Sequence, residues 1–368
     1  MVVAAKQPSR LVRCLTAVAR EAPTGIPFET IVVLNAAEAA LREALDREIV
    51  GARVVATEVS LGFAGGANLG ARQARGEFLH LLHDDTEVCA GWLESLIDAM
   101  NNCPEAGAAG SLILNEDGTV QSAGAVLWRD GVTTPPWPES PPSPAFFGID
   151  PFPVDYCASA SLLIRRELWD AAGGLDEELY PAYYIDVDLA LAVRSQGRSV
   201  VCAPQSRVRH ERGGSSPIGF RQFVSERNRA RIVVKWAEDL ERQEPFELGA
   251  EALERAKRVT LQTARSLRPP PVAARLVAES PNPIPAREER LLLERSALLR
   301  DISVKDAYIA ELRAQNQAVL EDRARIAGTL EAIEAGGWWR LRERLLPLLV
   351  LAGRVRRLSR RGGTSRTE

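Results

Sequence analysis

Two adjacent carboxylates, Asp84 and Asp85, end an apolar run that begins at Phe78. A short apolar run followed by charge is typical of a buried strand, and open α/β sheets bind ligands at the carboxyl ends of their strands. Carboxylate oxygens, together with substrate phosphates, can hold Mg²⁺ or Mn²⁺ without a full protein cage. The pair alone has a second interpretation, because Asp is also a common cap of a following helix.

A second acidic cluster, with Asp186 and Asp188, comes later in the chain, and His210 follows a further predicted strand. A buried carboxylate can take a proton from an attacking hydroxyl group, and imidazole is a common metal ligand. For Asp186 the alternative is a helix N-cap, a role that Asp188 would serve equally well. For His210 the alternative is an ordinary surface histidine.

The elements that must position these residues alternate between strand and helix in residues 1–100. This order predicts a mostly parallel sheet with helices on both faces. A glycine-rich stretch, Leu61 to Gly70, is predicted to be a turn that runs into a helix, whose free N–H groups suit an anion. It contains neither the dinucleotide fingerprint nor the Walker A loop, so a tight strand-to-helix connection explains it equally well.

Composition excludes several classes. The chain has 368 residues and a net charge of -3, which gives no reason to expect a nucleic-acid partner. Its five cysteines are odd in number and lack C-x-x-C spacing, which argues against a disulfide framework and a zinc site. No signal-peptide pattern occurs, and no stretch reaches the ~18 apolar residues of a spanning helix. We therefore expect a cytoplasmic protein.

In combination, these signals resemble a known family. Residues 1–215 resemble an inverting family 2 glycosyltransferase of the GT-A fold, and bacterial rhamnosyltransferase-like members most of all. The order and spacing of the motifs carry the resemblance. They are Gly62-Phe63-Ala64-Gly65 with Asn68 and Gly70, Asp84-Asp85-Thr86, Gly91-Trp92-Leu93, Asp155, Arg165-Arg166-Glu167, Gly174-Leu175-Asp176-Glu177, Asp186-Val187-Asp188-Leu189, Gly197, Pro204 and His210.

The resemblance implies an α/β GT-A nucleotide-diphospho-sugar transferase fold and a metal-dependent mechanism with Mg²⁺ or Mn²⁺. The donor would be a nucleotide sugar, such as dTDP-rhamnose or a UDP-sugar, and the acceptor a glycan or lipid-linked precursor of a cell-surface polysaccharide. Asp186 would be the general base, and Asp85 and His210 would bind the metal. The implied donor-binding residues are Asn35, Gly62, Asn68, Asp84 and Asp85, and the implied acceptor-binding residues are Asp155 and Asp188.

The sequence also departs from the family pattern. Leu34 replaces the usual Asp before Asn35, Ile185 replaces the usual Glu before Asp186, and Ala192 replaces a common Arg. Two other functions therefore stay open: a degenerate transferase fold that acts as a non-catalytic binding or scaffold subunit, and a nucleotidyltransferase.

The C-terminal part is predicted to be a helical, partly coiled-coil extension. It divides into a helical extension at 216–271, a proline-containing linker at 272–289, a coiled-coil-like helix at 290–335 and a basic amphipathic tail at 336–368. Spacings of four and three predict the coiled coil and, through it, a homodimer, with Asn316 at a core position. The alternative is a single amphipathic helix folded back on the catalytic domain. The heptad positions are Leu298, Ile302, Lys305, Ile309, Leu312, Asn316, Val319, Arg323, Ile326, Leu330 and Ile333.

The tail combines Trp338 and Trp339 with an apolar run and clustered arginines. This composition favours a helix lying in the headgroup region of an anionic membrane. We therefore expect peripheral contact with the inner face of the cell membrane.

Overall fold

The computed structural model describes residues 1–4, 6–135, 150–211, 216–246 and 287–335. Ten strands form one sheet in the order β10-β12-β6-β11-β4-β1-β2-β3, with β5 beside β12 and β7 beside β6, and β8 pairs with β9 separately. The strands are β1 (Val2–Ala4), β2 (Ile31–Asn35), β3 (Arg53–Thr57), β4 (Phe78–His83), β5 (Thr86–Val88), β6 (Ala106–Leu114), β7 (Val120–Ser122), β8 (Val126–Leu127), β9 (Thr133–Thr134), β10 (Phe152–Val154), β11 (Ser161–Arg165) and β12 (Ser199–His210).

The sheet is parallel where the sequence alternates strand with helix. β4, β1, β2 and β3 run parallel, and β12 runs parallel to β6. β11 lies antiparallel between β4 and β6. The carboxyl ends of strands β1, β2 and β4 therefore lie at one edge of the sheet. The predicted site residues lie at this edge, where these strands end.

Helices cover both faces of the sheet. Each helix packs one apolar stripe against the sheet, and the stripes on each face form one of two core layers. α1, α2 and α4 contribute Leu11, Leu41 and Leu96 to one layer, while α3 and α6 contribute Leu69 and Leu189 to the other. The helices are α1 (Pro8–Arg20), α2 (Ala39–Glu48), α3 (Gly62–Gln73), α4 (Trp92–Asn102), α5 (Arg166–Ala172), α6 (Ile185–Ser195), α7 (Ile218–Lys235), α8 (Ala237–Leu240) and α9 (Arg287–Ala335).

The glycine-rich stretch is mostly helix and not mostly turn. Only Gly62, at the start of α3, has a positive φ, at 69°. Gly66 lies inside the helix, where an added Cβ would come 2.7 Å from Cγ1 of Val3. These glycines therefore let α3 pack closely on the sheet, a purpose that the prediction of a turn did not foresee.

The chain divides into two compact units, residues 1–304 and 305–368. The first unit includes the start of α9, in which Ala297 and Val304 are buried. Residues 290–304 of the predicted coiled-coil-like segment thus pack on the sheet-containing unit. In the second unit, the described residues continue α9 to Ala335.

Several predicted segments lie outside the described residues. They include most of the proline-dense loop at 133–144, the part of the helical extension beyond Phe246, the linker up to residue 286 and the whole tail at 336–368. Within the described part of the chain, no helix is both long and apolar enough to cross a membrane.

Candidate active site

Asp84 and Asp85 occupy the turn between β4 and β5, at the carboxyl edge of the sheet. The short strand β5 pairs antiparallel with β12, so that Thr86 lies opposite His210. The backbone N–H of Glu211 also donates to the carbonyl oxygen of Asp85, at 3.0 Å. This register brings His210 beside Asp85 although the two are far apart in sequence.

His83, Asp85 and His210 form a cluster that fits a metal ion. One ligand atom from each residue lies within 4.8 Å of the others. Oδ1 of Asp85 is 3.1 Å from Nε2 of His210 and 3.9 Å from Nδ1 of His83. His210 thus belongs to a candidate metal cluster, and its role as a metal ligand stays a prediction.

Gln121 fixes the orientation of His210. Its Oε1 lies 2.7 Å from Nδ1 of His210, while its Nε2 donates to the carbonyl oxygen of His210. With its proton on Nδ1, a neutral His210 directs the lone pair of Nε2 towards Asp85. Oδ1 of Asp85 is buried and accepts no hydrogen bond from the part of the chain that the structure describes. A cation or a proton between these two acceptor atoms would satisfy both.

The pKa shifts in the cluster also favour a metal site. Burial, followed by the nearby charge of His210, lowers the pKa of His83 to about 4, so its imidazole is neutral at pH 7. Burial raises the pKa of Asp85, but its closeness to the imidazoles of His210 and His83 outweighs burial, and the net pKa is lowered. Burial and the neighbouring Asp85 raise the pKa of Asp84 to about 7. One ionised carboxylate thus faces two imidazoles.

Ser159 joins this cluster to the second acidic group. Its Oγ lies 3.3 Å from Nε2 of His83, and its backbone N–H donates to Oδ2 of Asp186 at 3.4 Å. Burial raises the pKa of Asp186, although the backbone N–H groups of Ser159 and Val187 lower it. The carboxylate predicted to be the base therefore lies at the same edge as the candidate metal cluster and holds a proton more readily than an exposed Asp does.

The helix-cap alternatives are wrong for both acidic groups. α4 begins at Trp92 with Gly91 as its N-cap, well after Asp85. α6 has Tyr184 as its N-cap, and Asp186 lies inside its first turn.

Two of the predicted donor-binding residues use their amides within the protein. Oδ1 of Asn35 accepts from the N–H of Leu61 at 2.7 Å, and its Nδ2 donates to the carbonyl of Gly62 at 3.0 Å. Asn68 likewise makes two bonds to the backbone of Leu175, at 2.8 and 2.9 Å. Asn35 therefore holds the loop at the start of α3, whereas Asn68 ties α3 to Leu175. Direct contact of either side chain with a donor stays a prediction.

Gly62 itself lies against the ring of Tyr180. A Cβ at this position would come 2.8 Å from Cδ2 of Tyr180 and 3.0 Å from the carbonyl oxygen of Pro181. The N–H of Phe63 donates to that same carbonyl at 2.8 Å. The segment around Tyr180 therefore holds the loop before α3 from one side.

The two predicted acceptor-binding carboxylates are buried and paired. Asp155 is 3% exposed, accepts from the N–H of Leu127 and lies 3.0 Å from Nη1 of Arg194. Asp188 is 4% exposed and accepts from Lys235 at 2.9 Å and from Nε1 of Trp236 at 2.7 Å. These bonds tie α6 to its neighbours, and acceptor contact by either carboxylate stays a prediction.

Sequence reasoning did not assign a role to three residues of the site: His83, Gln121 and Ser159. A signal for His83 was present, because it immediately precedes Asp84 at the end of the apolar strand. Gln121 and Ser159 carry no comparable signal, since their contacts depend on the pairing of distant segments.

Residues 1–171 match the family described as "Glycosyl transferase family 2". The chain is 37% identical over 154 residues to the O-antigen biosynthesis protein RfbC of Myxococcus xanthus, covering 40% of this chain and 12% of that protein. It is 31% identical over 150 residues to the N-acetylglucosaminyl-diphospho-decaprenol L-rhamnosyltransferase of Mycobacterium tuberculosis, covering 38% of this chain and 48% of that enzyme. The chain thus spans less than half the length of either relative.

A solved structure of GalNAc-T7 with UDP, GalNAc and Mn²⁺ has a similar architecture. Its TM-score is 0.53 at 20% sequence identity, over 65% of this chain and 48% of that one. This likeness, together with the mostly parallel sheet, confirms the predicted GT-A fold. Asp186 and His210 lie beyond the residues that match the family.

Proposed function

We propose that this chain transfers a sugar from a nucleotide-sugar donor to a glycan or lipid-linked acceptor, with inversion, in the synthesis of a cell-surface polysaccharide. The match of residues 1–171 to glycosyl transferase family 2 supports this proposal. The observation that carries this proposal is that two groups suited to these functions lie at one edge of the sheet. A candidate metal cluster and a buried carboxylate of raised pKa are joined there by Ser159.

A divalent metal fits the cluster of His83, Asp85 and His210. Two imidazoles and one carboxylate favour Mn²⁺ over Mg²⁺, because Mg²⁺ prefers oxygen ligands throughout. When bound, such a metal would neutralise charge on the diphosphate leaving group. The solved structure of GalNAc-T7 with UDP and Mn²⁺ supports this assignment by analogy of fold alone.

Asp186 is the proposed general base. An acceptor hydroxyl must lose its proton as it attacks the anomeric carbon, and a carboxylate of raised pKa takes that proton more readily than an ordinary one. Ser159 donates its backbone N–H to Asp186 and so orients the carboxylate. Attack by the acceptor oxygen on the face of the anomeric carbon opposite the diphosphate leaving group would give inversion.

The names of the relatives support a donor and an acceptor class. We favour dTDP-rhamnose as the donor, with a UDP-sugar as the alternative, and a lipid-diphosphate-linked sugar as the acceptor. A purified-protein screen of nucleotide sugars in the presence of Mn²⁺ or Mg²⁺ tests both assignments.

The decisive experiment compares Asp186→Asn with Asp85→Ala in transfer and in donor titration. Asp186→Asn should lower turnover by ~10² to 10⁴-fold with donor affinity unchanged, since the amide cannot accept a proton. Asp85→Ala should lose metal-dependent donor binding together with turnover. Wild-type protein that binds no nucleotide sugar with metal would favour a non-catalytic scaffold instead.

We also propose a homodimer through the part of α9 that lies in the second unit. Beyond Val304 the heptad positions Ile309, Val319 and Ile326 are between 44% and 64% exposed, so an apolar stripe is available to a second copy. A chain that ends at Val304 should be monomeric by light scattering while the full chain is dimeric. Identical masses for the two forms, corrected for length, would contradict this.

The tail beyond residue 335 lies outside the described residues, and its proposed role is peripheral attachment at the inner face of the membrane. Full-length chain should bind anionic vesicles less strongly as salt increases, because ions screen the arginines. Unchanged binding after removal of residues 336–368 would refute the role.

A further inference from the structure

We propose that the first part of α9, residues 294–304, holds the donor loop in its binding conformation, and that Arg300 is the positioning residue. The donor loop is defined here as residues 58–63. This inference rests on the proposed function, because it takes that loop to contact the donor.

α9 makes a direct hydrogen bond to the donor loop. Oε1 of Glu294 accepts from the backbone N–H of Glu58 at 3.2 Å. Glu294 is only 8% exposed, although it is a charged residue on a helix surface. A buried carboxylate that accepts a backbone N–H fixes the start of the loop, since leaving either group unpaired costs free energy.

α9 also supports the donor loop indirectly, through the segment Glu177 to Pro181. Nη1 of Arg300 lies 3.0 Å from Oε2 of Glu177, and its Nε lies 2.9 Å from Oε1 of Glu178. The hydroxyl of Tyr180 donates to Oδ1 of Asp301 at 3.4 Å. One guanidinium therefore bridges two adjacent carboxylates, a geometry that Lys cannot reproduce with a single ammonium group.

That segment in turn contacts the donor loop. Oε1 of Glu177 accepts from Nδ2 of Asn68 on α3, at 3.1 Å. The ring of Tyr180 leaves no room for a Cβ at Gly62, and the carbonyl of Pro181 accepts from the N–H of Phe63. Movement of Glu177 or Tyr180 would therefore shift the backbone where α3 begins.

An apolar contact completes the arrangement. Tyr180, Val224 and Val304 form a small buried cluster, with exposures of 6%, 0% and 3%. Because α7 and α9 both press on Tyr180, the segment is held from its outer side. The donor loop is thus supported by a helix that lies more than two hundred residues later in the chain.

The test compares Arg300→Ala with Arg295→Ala, a matched control, since Arg295 is an exposed residue of the same helix. Arg300→Ala should raise the KM for the donor by roughly 3- to 30-fold, the range for coupling through neighbouring residues, with kcat at saturating donor unchanged. Arg300→Lys should recover part of this loss, and Arg295→Ala should behave as wild type.

Two further measurements separate positioning from general destabilisation. The double variant Glu177→Gln with Arg300→Ala should have the same donor KM as Arg300→Ala alone. Arg300→Ala has already removed the ion pair between Arg300 and Glu177, and an amide oxygen at position 177 can still accept from Asn68. Amide hydrogen exchange at residues 58–63 should become at least roughly 3-fold faster in Arg300→Ala only, with the melting temperature close to that of wild type.

The outcomes are distinguishable from failure of the proposed function. Unchanged exchange at residues 58–63, or equal effects of Arg300→Ala and Arg295→Ala, would overturn the inference. Loss of kcat and melting temperature together would also overturn it, since that indicates a structural role alone. If wild-type protein bound no nucleotide sugar, the proposed function would fail, while hydrogen exchange would still decide whether α9 supports the loop.

Discussion

Replacing Gly62 with alanine should damage both stability and donor binding, for two reasons that can be separated. The first is conformational, because Gly62 has a φ of 69°, which an L-residue adopts at a cost of roughly 1–2 kcal/mol. The second is steric, because the new Cβ would lie 2.8 Å from the ring of Tyr180 and 3.0 Å from the carbonyl of Pro181.

Relief of that overlap requires Tyr180 or the backbone to move. Overpacking of this kind typically costs about 1–3 kcal/mol, so the total for Gly62→Ala is about 2–5 kcal/mol. Gly91 provides a matched control, since its φ is 73° and nothing lies within 4 Å of its added Cβ. Gly91→Ala should therefore cost only the conformational part, roughly 1–2 kcal/mol.

Urea denaturation of the two variants and the wild type measures these costs, and calorimetric titration of the donor measures binding. We expect Gly62→Ala to be less stable than Gly91→Ala by about 1–3 kcal/mol and to bind donor more weakly, whereas Gly91→Ala binds as wild type. Equal stability of the two variants would refute the packing argument. Equal donor affinity of the two variants would indicate that Gly62 does not contribute to donor binding.

Three other predictions concern single side chains. His83→Ala should weaken Mn²⁺ binding by at least ~10-fold in calorimetry, because one of three candidate ligands is lost; unchanged affinity would exclude His83 as a ligand. Asp155→Ala should reduce the free energy of unfolding by about 3–5 kcal/mol, because Arg194 is left without its carboxylate; wild-type stability with lost acceptor affinity would instead favour the predicted acceptor role. The pH profile of turnover should fall on its acid side through a pKa above the ordinary value of 3.8, because the base must be ionised and burial raises the pKa of Asp186; a limb that persists in Asp186→Asn would belong to another group.

The sequence predicts the sheet and part of the site because both follow from short-range patterns. Alternating strands and helices dictate a parallel sheet, and Asp85 lies where a strand of such a sheet must end. The nearness of His210 to Asp85 was implied by resemblance, and the structure supplies its cause in the pairing of β5 with β12.

The sequence does not predict which groups its buried polar side chains bond to. Asn68 bonds to Leu175, and Asp188 to Lys235 and Trp236, across separations of 47 to 107 residues. A polar residue at the end of a strand or the start of a helix gives the same sequence pattern whether its side chain faces a ligand or a distant backbone group. Only the pairing of remote segments distinguishes the two.

α9 illustrates the same difficulty for an apolar pattern. Ala297 and Val304 repeat at a spacing of seven and are buried in the first unit, while Leu298 and Ile302, at neighbouring positions, are 47% and 55% exposed. Both stripes fit helical periodicity, so periodicity alone cannot decide which stripe is covered by this chain.

The late position of α9 has a consequence for how the protein is made. The ribosome completes the sheet and α7 before it reaches Val304, and at about 5–20 residues per second the stretch after Phe246 takes roughly 3 to 12 s to emerge. During that interval Tyr180 and Val224 lack the helix that covers them in the finished protein. A nascent chain, or a recombinant fragment that ends before α9, therefore exposes an incompletely covered surface beside the donor loop, and chaperones and proteases can reach that surface.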